Sequence, residues 1–304
     1  MGYEPMVTAA SKRSITRALR KSRCYLYLAP TFILLGIFAY YPPLLAFIRS
    51  FYDWNGANWL QWKGLGNYRA MLHDEVLLLS IGNLAKLAAF SLVVSVVVPL
   101  LAAELIFNMR ARRAQYWYRV LLVLPVVVPG VVSMLLWQFI YDPNVGLLNG
   151  IVQAFGFSRR AWLYDPRSAL YSLMFMGFPF VGGITVLIFL AGLNNIGQDV
   201  LDASRIDGAG FLQRFVQIDV PLVSGQVRLI AILSIIGSLN GFGTPLILTD
   251  GGPGFATLVP GLHMYHEAFQ FDRLGYACAL GMLLFVVIFT LTLITMRIRR
   301  EDTQ

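Results

Sequence analysis

Six stretches without a single Asp, Glu, Lys or Arg constrain this chain most: 24–47, 87–103, 120–141, 168–198, 229–249 and 274–296. The hydrocarbon layer of a bilayer takes about 20 apolar residues of α-helix, and backbone polar groups inside it must be satisfied internally, so runs of this length predict spanning helices. The shortest, 87–103, is flanked by Lys86 and Glu104, whose aliphatic stems can extend and let their charges snorkel at its two ends. Hydrophobic residues make up 57% of the chain and charged residues 13%, with a mean hydropathy of +0.65, which excludes an ordinary soluble domain. An all-α integral membrane protein with six spans is the expectation.

A net charge of +8 raises nucleic acid as a partner, but the placement of the charges argues for a lipid bilayer instead. With the N-terminus inside, 16 of the 24 Lys and Arg fall on the cytoplasmic side and 7 outside, leaving Lys86 in a helix. The positive-inside rule then predicts a multi-pass protein of the cell membrane with both termini cytoplasmic. Residues 1–23 form a basic tail suited to an anionic leaflet, and 298–304 a short cytoplasmic tail. The run from 24 is longer than a signal-peptide core and lacks a small-residue cleavage site, so an uncleaved helix is expected, ended or kinked at Pro42 and Pro43. Cys24 and Cys278 are far apart and have no ligand-like neighbours, which reads as packing, not as a disulfide or metal site.

The longest polar interlude among these runs is Asp202–Ser224, DASRIDGAGFLQRFVQIDVPLVS, on a cytoplasmic loop in this topology. Ile196, Val200 and Ala203 recur at helical spacing and give a short helix an apolar stripe. At Asp207 and Gly208 the pattern breaks, with Gly suited to a left-handed helix end and Asp to capping the next helix. Phe211, Leu212, Phe215 and Val216 form a second stripe that stops before Pro221, where a further helix can begin. Two short helices joined by a turn are expected.

This segment resembles the EAA loop of ABC importer permeases, whose pattern runs Glu-Ala-Ala, then three residues on Asp-Gly-Ala, then Phe, Ile and Pro at set spacings. The matching positions are Asp202, Ala203 and Ser204, then Asp207, Gly208 and Ala209, then Phe215, Ile218 and Pro221. Asp202 replaces the Glu, Ser204 the second Ala and Ser224 a usual final Pro, so the carboxylate is kept but one methylene shorter. The resemblance implies that the loop at 194–225 is a coupling helix seated in a groove of a separate ATPase subunit.

Other segments resemble sugar-type permeases of the same superfamily. Gly64–Tyr68 reads GLGNY, in an outside loop whose Tyr52, Trp54, Trp59, Trp62 and Tyr68 otherwise suit headgroup anchoring. The third run carries Pro125 and Pro129 and leads to Trp137, Tyr141, Pro143, Gly146 and Asn149, a broken helix of the sort transporters use. Trp137 is either an interfacial anchor or a ring for a sugar face. The fourth carries Gly177, Pro179, Gly182 and Gly183, which suit close packing or bending. In the fifth, Gly237 and Gly241 leave one face bare for another helix, and Ser238, Asn240 and Thr244 bring polar atoms that need a helix neighbour or a hydrated cavity. LTDGGPGFAT at 248–257 resembles a segment of the first of two sugar-type permease subunits, on the side that includes the maltose and glycerol-phosphate systems. GGPG there is read as a turn and not a phosphate cradle, since no Lys-Ser or Lys-Thr follows; HMYHE at 263–267 lacks zinc-protease spacing and is expected in an outside loop.

The resemblance implies a type I ABC importer fold: 24–79 as a first helix with its outer loop, and 80–297 as the transmembrane domain. It also implies a second homologous permease, two ATPase subunits, and an extracytoplasmic solute-binding protein. No Gly-Lys-Ser or Gly-Lys-Thr occurs, so this chain is expected to be no enzyme and to bind no cofactor, with ATP and Mg held by the partner ATPases. A sugar or related polyhydroxy solute is the expected cargo, and Trp137, Asn240, Phe242 and Thr244 are candidates for its cavity. A secondary transporter or channel not coupled to ATP is the alternative, but it calls for intramembrane ionisable groups or a filter motif that the later runs lack.

Overall fold

The computed structural model describes residues 27–301, with side chains as far as Ile294; the basic tail at 1–23 and Cys24 lie outside the described residues. The helices are α1 (Tyr27–Arg49), α2 (Gly66–Met71), α3 (Glu75–Phe107), α4 (Arg112–Val127), α5 (Gly130–Ile140), α6 (Leu147–Ala154) and α7 (Ala169–Phe175). They continue as α8 (Gly183–Asn194), α9 (Gln198–Ile206), α10 (Phe211–Leu222), α11 (Ser224–Asn240), α12 (Gly243–Thr249), α13 (Pro260–Phe269) and α14 (Leu274–Glu301). Between α1 and α2 sits the antiparallel hairpin β1 (Tyr52–Trp54) and β2 (Leu60–Trp62), with Asp53 opposite Gln61.

Among the described residues α1, α3 and α14 are each long and apolar enough to cross a membrane. Three further crossings arise only if bent pairs count as one: α4 with α5 at 90°, α8 with α9 at 74°, and α10 with α11 at 70°. The third run was expected to be a broken helix and is one; the fourth and fifth are broken as well, for reasons written in their backbones. Pro129 lacks an N–H and caps α5 after an extended Val128. The fourth run divides into α7 and α8 around Gly177 at φ 95°, and the fifth ends α11 at an extended Gly241 before α12 starts.

Pro42 and Pro43 do not end α1, which runs on to Arg49. A π-helical turn at Leu35–Tyr40 leads up to them, with the Tyr41 amide bonding the Gly36 carbonyl, at the place where two prolines withhold their ladder donors. HMYHE was expected in a loop and lies in α13, with His263 bonded to Asp74 and His266 to Asp250, each at 2.9 Å. Glu104 does not snorkel: it is 1% exposed, and an arginine 110 residues away meets it.

The principal core lies where α3 crosses α8. Leu100, Ala103 and Ile106 of α3 interlock with Val186, Phe189, Leu190 and Leu193 of α8, and Val223 and Ile230 close the third side. Gly183 lets α4 come close to the start of α8, since a Cβ there would run into the Leu122 carbonyl of α4. At the other end GLGNY acts as a clasp. Asn67 is buried and donates to the carbonyls of Ser50 and Tyr52, each at 2.9 Å, while the Tyr68 hydroxyl lies 2.7 Å from that of Ser50.

Candidate functional site

The hairpin of α9 and α10 is mounted on the bent ends of α8 and α11. α9 closes in a paired helix-end motif: the Gly208 amide bonds the Arg205 carbonyl at 3.1 Å and the Ala209 amide the Ser204 carbonyl at 3.0 Å. Gly208 holds φ 73°, the left-handed turn its sequence context predicts. Asp207 is the C-cap of α9 and does not cap α10, whose N-cap is Gly210.

The inward face of α9 is Leu201 and Ser204, both buried, with the Ser204 hydroxyl donating to the Leu201 carbonyl at 2.7 Å. Val200 and Ala203, from the expected stripe, are exposed, as are Asp202 and Asp207. Asp202 pairs with Arg205 at 2.8 Å across a solvated surface. Ile206 is 86% exposed and Leu212 71%, so the hairpin presents apolar side chains outward that the rest of this chain leaves uncovered. Phe211 and Phe215 stack in parallel at 6.5 Å, and Phe215 reaches back to the α3/α8 core. Ile218 is half-buried in a π-helical turn at Phe215–Asp219, and Pro221 follows in the short segment Val220–Leu222 that closes α10.

One group of residues here was not legible as a group. Arg214 of α10 donates through Nε to Asp219 Oδ2 and through an Nη to Glu104 Oε1, both at 2.8 Å, and the same Nη reaches Asn108 Oδ1 at 2.6 Å. Glu104 and Asp219 are 1% and 0% exposed. The sequence showed only a carboxylate at the end of an apolar run and an arginine on the cytoplasmic side.

A cavity of about 430 Å³ opens among α3, the segment between α7 and α8, and α12. Phe90, Ser91 and Ser95 line one wall, and Phe180, Ser238 and Thr244 stand on the others. Hydroxyls among aromatic and aliphatic surfaces can bind a polyhydroxy compound by hydrogen bonds and ring stacking. Of the residues expected near a cavity, Thr244 lines it. Trp137 packs behind it, 5.4 Å from the Tyr141 ring and 6.2 Å from that of Phe175, which in turn contacts Phe180. Phe242 turns to Tyr265 and a separate apolar groove, and the exposed Asn240 donates to the Ile236 carbonyl at 2.9 Å. Among the described residues, no atom beyond the neighbouring turns of α11 lies within 4 Å of a Cβ placed on Gly237, which leaves that part of the helix face bare.

Comparison with known proteins places these features in a family. The profile described as "Binding-protein-dependent transport system inner membrane component" matches residues 95–300. The probable ABC transporter permease protein YurN of Bacillus subtilis is 32% identical over 276 residues, covering 90% of this chain and 94% of that protein. The diacetylchitobiose uptake system permease protein NgcF of Streptomyces coelicolor is 29% identical over 93% of this chain and 84% of its own length. The arabinooligosaccharides transport system permease protein AraP of B. subtilis is 27% identical over 96% and 94%. A chain from the crystal structure of a bacterial ABC transporter involved in the import of the acidic polysaccharide alginate shares the fold, with TM-score 0.84 over 96% of this chain and 100% of that one at 21% identity. A match to most of the chain, joined to a type I importer fold and an outward-facing hairpin, makes this protein a member of the binding-protein-dependent inner membrane components, in the carbohydrate-uptake family of ABC transporter permeases.

Proposed function

We propose that this chain is the first-type permease subunit of an ATP-driven importer that moves a sugar or related polyhydroxy solute into the cell by alternating access. The observation that carries the reading is the hairpin, whose apolar side chains at Ile206 and Leu212 point away from the chain's own core. Such a surface is suited to a groove on an ATPase subunit, with Asp202, Ala203, Ser204, Asp207, Gly208, Ala209, Phe215, Ile218 and Pro221 forming or shaping the contact. In this reading α4 with α5, α8 and α11 carry the three further crossings while α9 and α10 stay in the cytoplasm, giving six spans with both termini cytoplasmic, the first at 24–79 with its outer loop and the others within 80–297. A second permease covers the faces left open here, two ATPase subunits bind ATP and Mg, and a solute-binding protein delivers cargo outside. NgcF and AraP, by their names, serve oligosaccharide uptake, which supports a cargo of that class.

ATPase closure would drive the hairpins of the two permeases together and tilt the helices around the 430 Å³ cavity. Reversing an equilibrium from mostly inward to mostly outward takes about 5.5 kcal/mol of differential binding, more than one exposed ion pair near 1 kcal/mol or less supplies, so the whole docked face carries the coupling. The test is co-purification of the tagged chain followed by proteoliposome uptake of diacetylchitobiose, arabinotriose, maltotriose or glycerol phosphate. ATP-dependent uptake of one of them is expected, and Ser91→Trp, which fills the cavity, should abolish it. A purified assembly with no ATP-hydrolysing subunit would refute the reading.

A further inference from the structure

α9 and α10 leave their parent helices at bends of 74° and 70°. Two bends in series form a compliant joint, and a hairpin held by them alone would swing when pushed without moving the helices above. The structure contains a brace across that joint. Arg214 lies on the far arm of the hairpin, and its side chain is 12% exposed, with the guanidinium between Asp219 on the same arm and Glu104 on α3. Asn108 joins from the end of α3, accepting from Arg214 at 2.6 Å while its own amide donates to Glu104 Oε1 at 2.6 Å. The Phe107 ring lies 5.9 Å from the guanidinium carbon on another side.

The charges make this brace hard to open. Two buried carboxylates surround one guanidinium, and Glu104 Oε2 and Asp219 Oδ1 are buried with no hydrogen-bond partner among the described residues. Withdrawing the arginine would leave two unpaired charges out of water, which costs far more than breaking an exposed pair such as Asp202 with Arg205. The other end of the brace is α3, which stays helical for 33 residues, passing through a buried Pro99 between Ser91 and Glu104. At a rise of 1.5 Å per residue, Glu104 stands about 20 Å along that rod from Ser91 on the cavity wall. The rod carries Phe90, Ser91 and Ser95 of the cavity directly.

We infer that Arg214 is the positioning residue that locks the coupling hairpin to α3, so that a displacement of the hairpin is delivered to the cavity wall through one continuous helix rather than lost in the two bends. This rests on the importer reading above and names the residue by which the ATPase stroke would reach the cavity.

The test compares Arg214→Gln, Glu104→Gln and the double variant with wild type in proteoliposomes, reading both ATP hydrolysis and uptake of whichever compound of the panel above wild type takes up. Uptake per ATP should fall about tenfold or more in Arg214→Gln while hydrolysis continues. Glu104→Gln should fall less, since its amide oxygen still accepts from the guanidinium. The double variant should recover part of the loss, because removing one carboxylate relieves the charge that the missing cation leaves behind. An arginine that only helps folding would lower both rates together and leave the ratio unchanged, and that outcome overturns the proposal. If Arg214→Gln does not accumulate, Glu104→Gln decides on the same ratio, an unchanged value again counting against the brace. Wild type without ATP-driven uptake sinks the importer reading and the brace with it; wild-type uptake with unaltered ratios sinks the brace alone.

Discussion

His263 Nε2 lies 2.9 Å from Oδ2 of Asp74, a residue 189 positions earlier, and the Tyr276 hydroxyl donates to the same oxygen at 2.6 Å. Asp74 Oδ1 accepts from the Leu77 amide at 2.9 Å and so caps α3. This carboxylate ties the end of the long rod to α13 and α14, at the opposite end of α3 from Glu104.

Asp74 and its neighbour Glu267 should give stability opposite dependences on pH. Burial opposes ionisation of Asp74, but the bonds from Tyr276, His263 and Leu77 outweigh it and hold the carboxyl below 3.8. A depressed acid contributes stability above its unfolded value, lost as pH falls through the lowered one. Glu267 is raised above 4.5, first by burial and then by the charge of Asp74, with Arg273 and His263 opposing, so its contribution is present below 4.5 and is lost as pH rises through the raised value. In melting experiments on detergent-purified protein between about pH 3 and 7, the deficit of Asp74→Asn should be largest near neutrality and shrink below about pH 4. Glu267→Gln should flatten the loss of stability above 4.5. Parallel pH trends for the two variants would contradict the assignment.

Asn67→Ala should loosen the clasp at GLGNY. It removes the donor to two carbonyls, Ser50 and Tyr52, at a residue 1% exposed, and should cost about 1–3 kcal/mol. Fluorescence of Trp54 and Trp62 in the adjoining hairpin reports it: an earlier transition on heating is expected, and an unchanged one counts against the clasp.

In the hairpin of α9 and α10, Gly208→Asp should impair uptake more than Asp202→Asn. Gly208 sits at φ 73°, where a side chain strains the backbone, and the turn sets the angle between two helices. Asp202 contributes an exposed pair to Arg205, worth about 1 kcal/mol or less. Uptake abolished by Asp202→Asn but preserved in Gly208→Asp would reverse the predicted order.

Gly183→Ala should act through packing rather than through turn geometry. The added methyl meets the Leu122 backbone carbonyl, which belongs to α4 and has no rotamer to yield, so overpacking of about 1–3 kcal/mol is expected. Gly237→Ala, with open space around it among the described residues, should leave the isolated protein's melting temperature unchanged. Equal melting of the two variants would show that α4 and α8 are not held at that distance.

Local signals made much of this protein readable in advance. Charge-free runs mark bilayer segments because the solvent there tolerates nothing else; Gly208 marks its turn because a left-handed residue is chosen by backbone sterics; the Asp202–Pro221 spacing carried the family resemblance. Pairings across the chain had no such signal. Glu104 looked like a snorkelling end group and Arg214 like one more cytoplasmic charge, since nothing within a helical turn of either indicates the other. HMYHE gave no hint that its first histidine would find Asp74. The placement of Trp137 and Phe242 behind or beside the cavity, with Thr244 on its wall, was equally out of reach, because a residue's face depends on where the helix breaks at Pro129 and Gly241 and how far each half then turns. Sequence alone determined which segments leave water and where the chain turns, since both are settled by the chemistry of neighbouring residues. Tertiary structure decided which charges meet and which side chains enclose space, since those depend on the packing of helices far apart in the chain.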